Sequence, residues 1–401
     1  MSVSRESKRE LINVPLRDGP VTVRGAVWIE ETAQGVVPRR FLQPASERIV
    51  DDFMRAAMVQ STGVRLAFRT AATRVQLRVF ATKLADSVDA PLAPALYDIC
   101  ADGEVVSVAS SLDGARVVLA NRALDQTIAG DEVSLAFALD GVERDYELWL
   151  PYSDEVELRE FSADAPVVAV ADDRTRPRWV HHGSSISHGY VASRTTKTWP
   201  AQVAQACALD LVNLSYTGNA VLDQSTARTI RDTPADVITV KLGINIVNGD
   251  SMRLRVFRSA VHGFLDTIRE GQPDTPILVI SPICCPPVES VPGPTLRQGA
   301  GESSWTVTSG QAREVAEGKL SLEVIRRELK EIVAARAATD PHLAYLDGLQ
   351  LYGVADNARL PMPDNLHPAD DVNTLIAERF VSAAFGEDGW MPAVELQTRM
   401  D

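Results

Sequence analysis

The sequence predicts an α/β chain in two parts: a jelly-roll-like antiparallel β-sandwich over residues 1–172, then a parallel sheet covered by helices over residues 173–401. Three observations carry this. Up to about residue 170 the apolar residues alternate with polar ones. A polar, proline-bearing stretch, "ADDRTRPR" at residues 171–178, then breaks the pattern like a linker. Beyond it, short apolar runs are separated by segments of helical period.

In the first part Val64, Leu66 and Phe68 alternate with Arg65, Ala67 and Arg69. Val75, Leu77 and Val79 repeat the period, as do Val133, Leu135, Phe137 and Leu139, then Tyr146, Leu148 and Leu150. A sheet with one face on a core and the other toward solvent reads this way. One helical segment, "SERIVDDFMRAAM", is expected to pack on or beside the sandwich. In the second part the predicted strands are "RWVHHG", "LDLVNLSY", "DVITVKLG", "PILVISPI" and "LAYLDGLQL". Helices are predicted over "WPAQVAQACA", "RLRVFRSAVHGFLDTIRE" and "LSLEVIRRELKEIVAARA". Continuous apolar strands suit a parallel sheet buried on both faces. Residues 284–318, from "CCPPVES" to "VAEG", read as a long irregular functional loop.

The 401 residues exceed one domain of usual size. With 45% hydrophobic and 23% charged residues the composition is that of a soluble protein with a core. The net charge of -14 argues against nucleic acid as a partner, because phosphate contacts need a basic face. No apolar run of about 18 residues occurs, so no membrane span is expected. The N-terminal stretch "MSVSRESKRELINVPLRDG" is charged and lacks an apolar segment, so no secretion signal and a cytoplasmic location are expected. Cys100, Cys207, Cys284 and Cys285 are scattered and read as reduced thiols.

In an open parallel sheet, ligands bind beyond the carboxyl ends of the strands. The first predicted strand ends at Gly183-Ser184-Ser185, the second at "SYTGNA" with Gly218 and Asn219, the third at "KLGINIVNG" with Gly243 and Asn245. The last helix is entered through "PDNLHPAD", with Asp364 and His367. Acyl transfer needs this inventory. A serine hydroxyl becomes a nucleophile when a base such as His367 takes its proton, and Asp364 can hold the imidazole in the right tautomer. The backbone N–H groups of Ser185 and Gly218 and the amide of Asn245 can form an oxyanion hole.

Each residue has a structural reading as well. Ser185 can be a turn residue, and Ser184 can be the nucleophile in its place; Gly218 and Asn245 can be turn formers. Asp364 can cap the helix that follows. His181, His182 and His188 suggest a metal, but adjacent strand residues face opposite ways and no carboxylate or cysteine stands at ligand spacing. No metal and no cofactor are expected. Trp305 is a candidate for the acyl pocket, whereas Trp199 reads as core.

At these residues the chain resembles the SGNH (GDSL-like) hydrolases, named for a serine, a glycine, an asparagine and a histidine. Ser185, Gly218, Asn245 and His367 match in order, and Asp364-x-x-His367 matches the family's terminal acid–histidine pair. The resemblance covers roughly residues 176–390 and implies a flavodoxin-like, three-layer α/β/α domain with a five-stranded parallel sheet. The two-part layout resembles a subgroup of tetracycline-biosynthesis acyltransferases and related esterases. Two positions depart from the pattern: Ser184 stands where the family usually has aspartate, and Ile246 follows Asn245 where another aspartate is usual.

The expected activity is that of a serine esterase working through an acyl-enzyme on a small-molecule ester. An acyltransferase moving the acyl group to an alcohol uses the same residues. A third reading is a carbohydrate-binding protein whose sandwich does the work. Self-association stays open.

Overall fold

The computed structural model describes residues 10–43, 47–49, 51–170, 176–299 and 304–391. Two packed sheets make up the first part. One has six strands, among them Arg65–Thr70, Ala95–Ala101 and Arg144–Trp149. The other has eight, built around Arg74–Ala85 and Asp154–Ala163. Arg74–Ala85 buries every second residue along its 12 residues, as its sequence period requires. Leu66, Phe68, Tyr146 and Leu148 of the first sheet share one core with Val75, Leu77, Phe137 and Phe161 of the second. Phe68 stacks on Tyr146 at 5.7 Å and meets the edge of Phe161 at 4.9 Å.

One pairing departs from the antiparallel expectation. The first half of Arg74–Ala85 pairs antiparallel with Val133–Ala138, but its last residues pair parallel with Ala115–Ala120. A strand of this length has room for two partners in succession.

The second part is a parallel sheet in the order Asp210–Asn213, Arg178–His182, Val237–Lys241, Ile277–Ile280, Leu343–Leu346. All five predicted strands are therefore present, in flavodoxin-like order 2-1-3-4-5. Helices Trp199–Ala206 and Asp370–Phe380 pack together, as do Gln224–Asp232 and Leu254–Arg269. The first pair covers the face of Trp179 and His181, whose rings meet Phe380 and Trp199; Phe264 covers the face of His182. Because the order reverses around Arg178–His182, the loops after this strand and its neighbour diverge and leave a crevice.

Three sequence expectations need adjusting. The helix in "SERIVDDFMRAAM" runs over Asp52–Val59, started by the Asp51 side chain accepting from the Met54 N–H at 2.7 Å. It lies beside the sandwich strands Ala115–Ala120 and Ala123–Ile128, as expected, but its Met54, Ala57 and Met58 join the core of the parallel-sheet part. The stretch at 284–318 is not irregular throughout: Thr295–Gln298 and Trp305–Thr308 form an antiparallel hairpin. Within the expected linker, residues 171–175 lie outside the described residues, while Arg176 pairs with Glu147 and Arg178 with Asp210.

The two parts meet through buried polar contacts. Arg65, 1% exposed, bonds Asp210 at 2.8 Å, contacts Glu147 and lies over the Trp149 ring. Arg40, also 1% exposed, has no carboxylate partner among the described residues. It donates to five backbone carbonyls, those of Ala57, Met58, Gln60, Asn213 and Ser215. Burial lowers its guanidinium to about 9.

Candidate active site

The first parallel strand stops at His182, and Ser184 begins a short helix, Ser185–His188. The Ser184 hydroxyl accepts from the Ile186 N–H at 3.3 Å, the ordinary work of an N-cap. That engages Ser184 locally. Ser185 Oγ instead lies 2.9 Å from Nε2 of His367, although the two residues are 182 positions apart.

His367 is oriented by Asp364. Nδ1 of the imidazole is 2.7 Å from Asp364 Oδ2, while Asp364 Oδ1 accepts from the N–H groups of Leu366 and His367 at 3.0 and 2.7 Å. The aspartate thus caps the turn and holds the ring at once. Burial acts to raise its carboxyl, but the His367 imidazole and the two N–H groups outweigh this and hold it below the usual carboxylate range. A carboxylate only accepts, so Nδ1 carries the ring proton and Nε2 presents a lone pair to Ser185. Tyr190 packs edge-on against the imidazole, ring centres 4.6 Å apart.

The expected oxyanion donors gather on the same rim. Gly218 adopts φ +68°, and a Cβ there would lie 2.8 Å from Cε1 of Phe53, so both conformation and space call for glycine. Asn245 sits in helix Ile244–Asn248, after the third strand. Its Oδ1 accepts from the Ala220 N–H at 3.0 Å, which leaves the Nδ2 donors uncommitted among the described residues. The N–H groups of Ser185 and Gly218 likewise have no acceptor among the described residues.

Ser185, Gly218, Asn245 and His367 line one cavity of about 550 Å³. Its opposite wall comes from the N-terminal half: Phe53 of the helix, and Leu84, Leu92 and Arg122 of the sandwich. Trp305 is not among its lining residues. In the hairpin strand Ser304 and Thr306 turn inward while Trp305 turns out, 41% exposed, as the period of two dictates. From the same hairpin it is Arg297 that reaches the cavity.

The three neighbouring histidines are buried and held by other partners, although His188 also borders the cavity. His181 bonds Thr239 and His182 the Leu214 carbonyl, while His188 lies between the carbonyls of Ser215 and Tyr152. Burial lowers all three, His182 to about 4 and His188 to about 3. Among the described residues no three His, Cys, Asp or Glu side chains gather as a metal site.

Sequence reasoning did not find Phe53, Leu84, Leu92, Arg122, Tyr190 or Arg297. None lies in a motif, and all but Tyr190 reach the cavity from elements remote in sequence from the three strand ends and the entry to the last helix.

Residues 182–375 match the GDSL-like Lipase/Acylhydrolase family, and residues 21–159 match the SsfX3 N-terminal domain. The chain thus carries a GDSL-like lipase/acylhydrolase domain behind an SsfX3-type N-terminal domain, and it is an enzyme of the hydrolase and acyltransferase class. Among solved structures it is similar to the salicylyl-acyltransferase SsfX3 from a tetracycline biosynthetic pathway. The two share 26% identity over 93% of this chain and 96% of that one, with a TM-score of 0.76. Its fold is shared by a Bacteroides ovatus protein described as a GDSL-like lipase, at 17% identity, 93% and 97% coverage and a TM-score of 0.66. A family two carbohydrate esterase from Clostridium thermocellum in complex with cellohexaose shares it too, at 12% identity, 90% and 97% coverage and a TM-score of 0.56. Comparison with curated protein sequences finds no match. Among the described residues no helix is long and apolar enough to cross a membrane.

Proposed function

We propose that the protein is a serine esterase acting on a small-molecule carboxylic ester through an acyl-enzyme. The observation that carries this is the relay of Ser185 Oγ, His367 and Asp364, with contacts of 2.9 and 2.7 Å, at the wall of the cavity. Ser185 Oγ attacks the carbonyl carbon as its proton passes to His367 Nε2, and ionised Asp364 stabilises the imidazolium. The oxyanion is held by the N–H groups of Ser185 and Gly218 and the Asn245 amide, each worth about 3 kcal/mol when well aimed. Collapse returns the proton to the leaving alkoxide. Water, activated by the same histidine, then releases the acid.

An alcohol in place of water makes the enzyme an acyltransferase. The specific observation favouring that second reading is the 26% identity to a salicylyl-acyltransferase along almost the whole chain. Hydrolysis is retained as the first reading because water is always available unless a closed site excludes it. The test is intact-mass spectrometry after exposure to a panel of activated esters, followed by partition of the trapped acyl group between water and added alcohols. Free acid as the main product supports the esterase. Alcohol esters dominating at millimolar acceptor would overturn it in favour of the transferase.

The proposal takes residues 1–172 and 173–401 as two domains, each with its own apolar core apart from the segment around Phe41 and Asp52–Val59 and the small cluster of Cys100, Trp149 and Ala201 that joins them. It places the enzyme in the cytoplasm, which four free cysteines support.

A further inference from the structure

We propose that Arg122, a sandwich residue, is a positioning residue for the oxyanion hole: through Asn219 it fixes the direction of the Gly218 N–H. The proposal rests on the serine acyl-transfer reading above and assigns the N-terminal sandwich a part in it.

Strands Ala115–Ala120 and Ala123–Ile128 form a hairpin whose two-residue turn is Asn121-Arg122, at φ +50° and +68°. Turns of this hand favour Asn first and Gly second, because a side chain at the second place is disfavoured. An arginine in the glycine place is a conformation held by its surroundings, and such outliers gather at functional sites.

The surroundings here are the oxyanion loop and the helix before it. The Arg122 carbonyl accepts from the Phe53 N–H at 3.1 Å, and Leu124, two residues on, donates its N–H to Asp52 at 2.8 Å. Arg122 Nε bonds Asp51 at 2.8 Å, and its guanidinium lies 4.6 Å from the centre of the Phe53 ring. Nη2, which also lies 2.7 Å from Asp51 Oδ2, reaches the loop and donates to Asn219 Oδ1 at 2.6 Å. Asn219 in turn donates Nδ2 to the carbonyl of Thr217 at 2.6 Å.

That last bond matters because of peptide geometry. The Thr217 C=O and the Gly218 N–H belong to one planar trans unit, so they point in opposite directions. Holding the carbonyl from one side aims the N–H to the other. Arg122 orients the Asn219 amide, Asn219 orients the Thr217 carbonyl, and the carbonyl sets the line of the Gly218 donor. Phe53, pressed under the guanidinium, closes the space that a Gly218 Cβ would take. From the other end Arg40 holds the carbonyls of Asn213 and Ser215, so two arginines of the N-terminal half bracket the loop.

The test is a double-mutant cycle on hydrolysis of p-nitrophenyl acetate by the full chain, with Arg122→Ala, Asn219→Ala and the double variant. Each single change is expected to lower kcat roughly tenfold to a hundredfold while KM stays put, since the aim of a transition-state donor is lost. The double variant is expected to be no slower than the singles, because both break one relay. Arg122→Lys recovers only part of the rate, as an ammonium cannot bond Asn219 and Asp51 and also lie flat on Phe53. It takes the place of Arg122→Ala in the cycle should that variant not fold. Additive losses, or a raised KM with kcat unchanged, in an otherwise active parent would overturn the positioning role alone. A wild-type protein that neither turns over the ester nor accepts a fluorophosphonate overturns the acyl-transfer reading along with it.

Discussion

The backbone N–H of Thr306 donates to the backbone carbonyl of Asp364 at 2.8 Å, so the hairpin that the sequence hides is fastened to the turn that orients His367. Thr306→Pro removes this donor without substituting any proposed catalytic residue. The expected outcome is a kcat lowered about tenfold with an unchanged melting temperature, because a small drift of the turn misaligns the imidazole. Steady-state kinetics beside a thermal melt checks it. An unchanged kcat would show that the turn holds itself.

Asp364→Asn keeps the shape but not the charge. The neutral amide no longer stabilises an imidazolium and can turn its NH₂ toward the ring, favouring the wrong tautomer. Turnover is expected to fall by roughly three to four orders of magnitude, with slow acylation still detectable. Rates near wild type would mean that another acid orients His367.

Stability should depend on pH through the buried histidines. His181, His182 and His188 have folded pKa values depressed by burial, to about 4 for His182 and about 3 for His188, whereas an unfolded imidazole titrates near about 6.5. Between those values the unfolded chain binds protons that the native chain refuses, so stability is full above the unfolded value and is lost as pH falls below it. Asp98 and Asp223, whose carboxyls burial raises, act in the opposite sense. The melting temperature is predicted to be level above pH 7 and to fall steadily between pH 6.5 and pH 5. Level behaviour down to pH 5 would show that these rings charge without cost.

Arg40 gives a test of the seam between the two parts. Its replacement by methionine leaves five buried carbonyls without their common donor. A loss of at least about 3 kcal/mol is expected from denaturant unfolding, since bonds to a charged donor contribute about 1.5–3 kcal/mol each. Arg40→Lys should recover little, because one ammonium cannot span the spread of a guanidinium. A loss below about 1 kcal/mol in either variant would mean that water takes over the carbonyls.

What could be read from the residues alone was whatever depends on short-range pattern. Ser185, Gly218 and Asn245 follow the ends of apolar strands at turns rich in glycine, and Asp364 and His367 stand three apart in one turn, so neighbours in sequence already imply their meeting. The five strands are largely apolar and buried almost throughout, unlike the alternating strands before them. The cavity's far wall was hidden for the opposite reason. Leu92 and Arg122 reach the cavity of Ser185 only because the sandwich packs against the parallel-sheet part, and that packing uses buried arginines and scattered apolar residues that no period announces. Helix Asp52–Val59 belongs by chain position to the sandwich but by its Met54 and Met58 to the other core. Trp305 misled because a large aromatic beside a long loop suggests a pocket, whereas the parity of a four-residue strand turns it outward.

The central claim, that Ser185 is the nucleophile, is tested most directly by fluorophosphonate labelling followed by peptide mass spectrometry. Wild type and Ser184→Ala should each take one phosphonyl group on Ser185, and Ser185→Ala should take none while remaining folded. Label that persists in Ser185→Ala and disappears in Ser184→Ala would contradict the account.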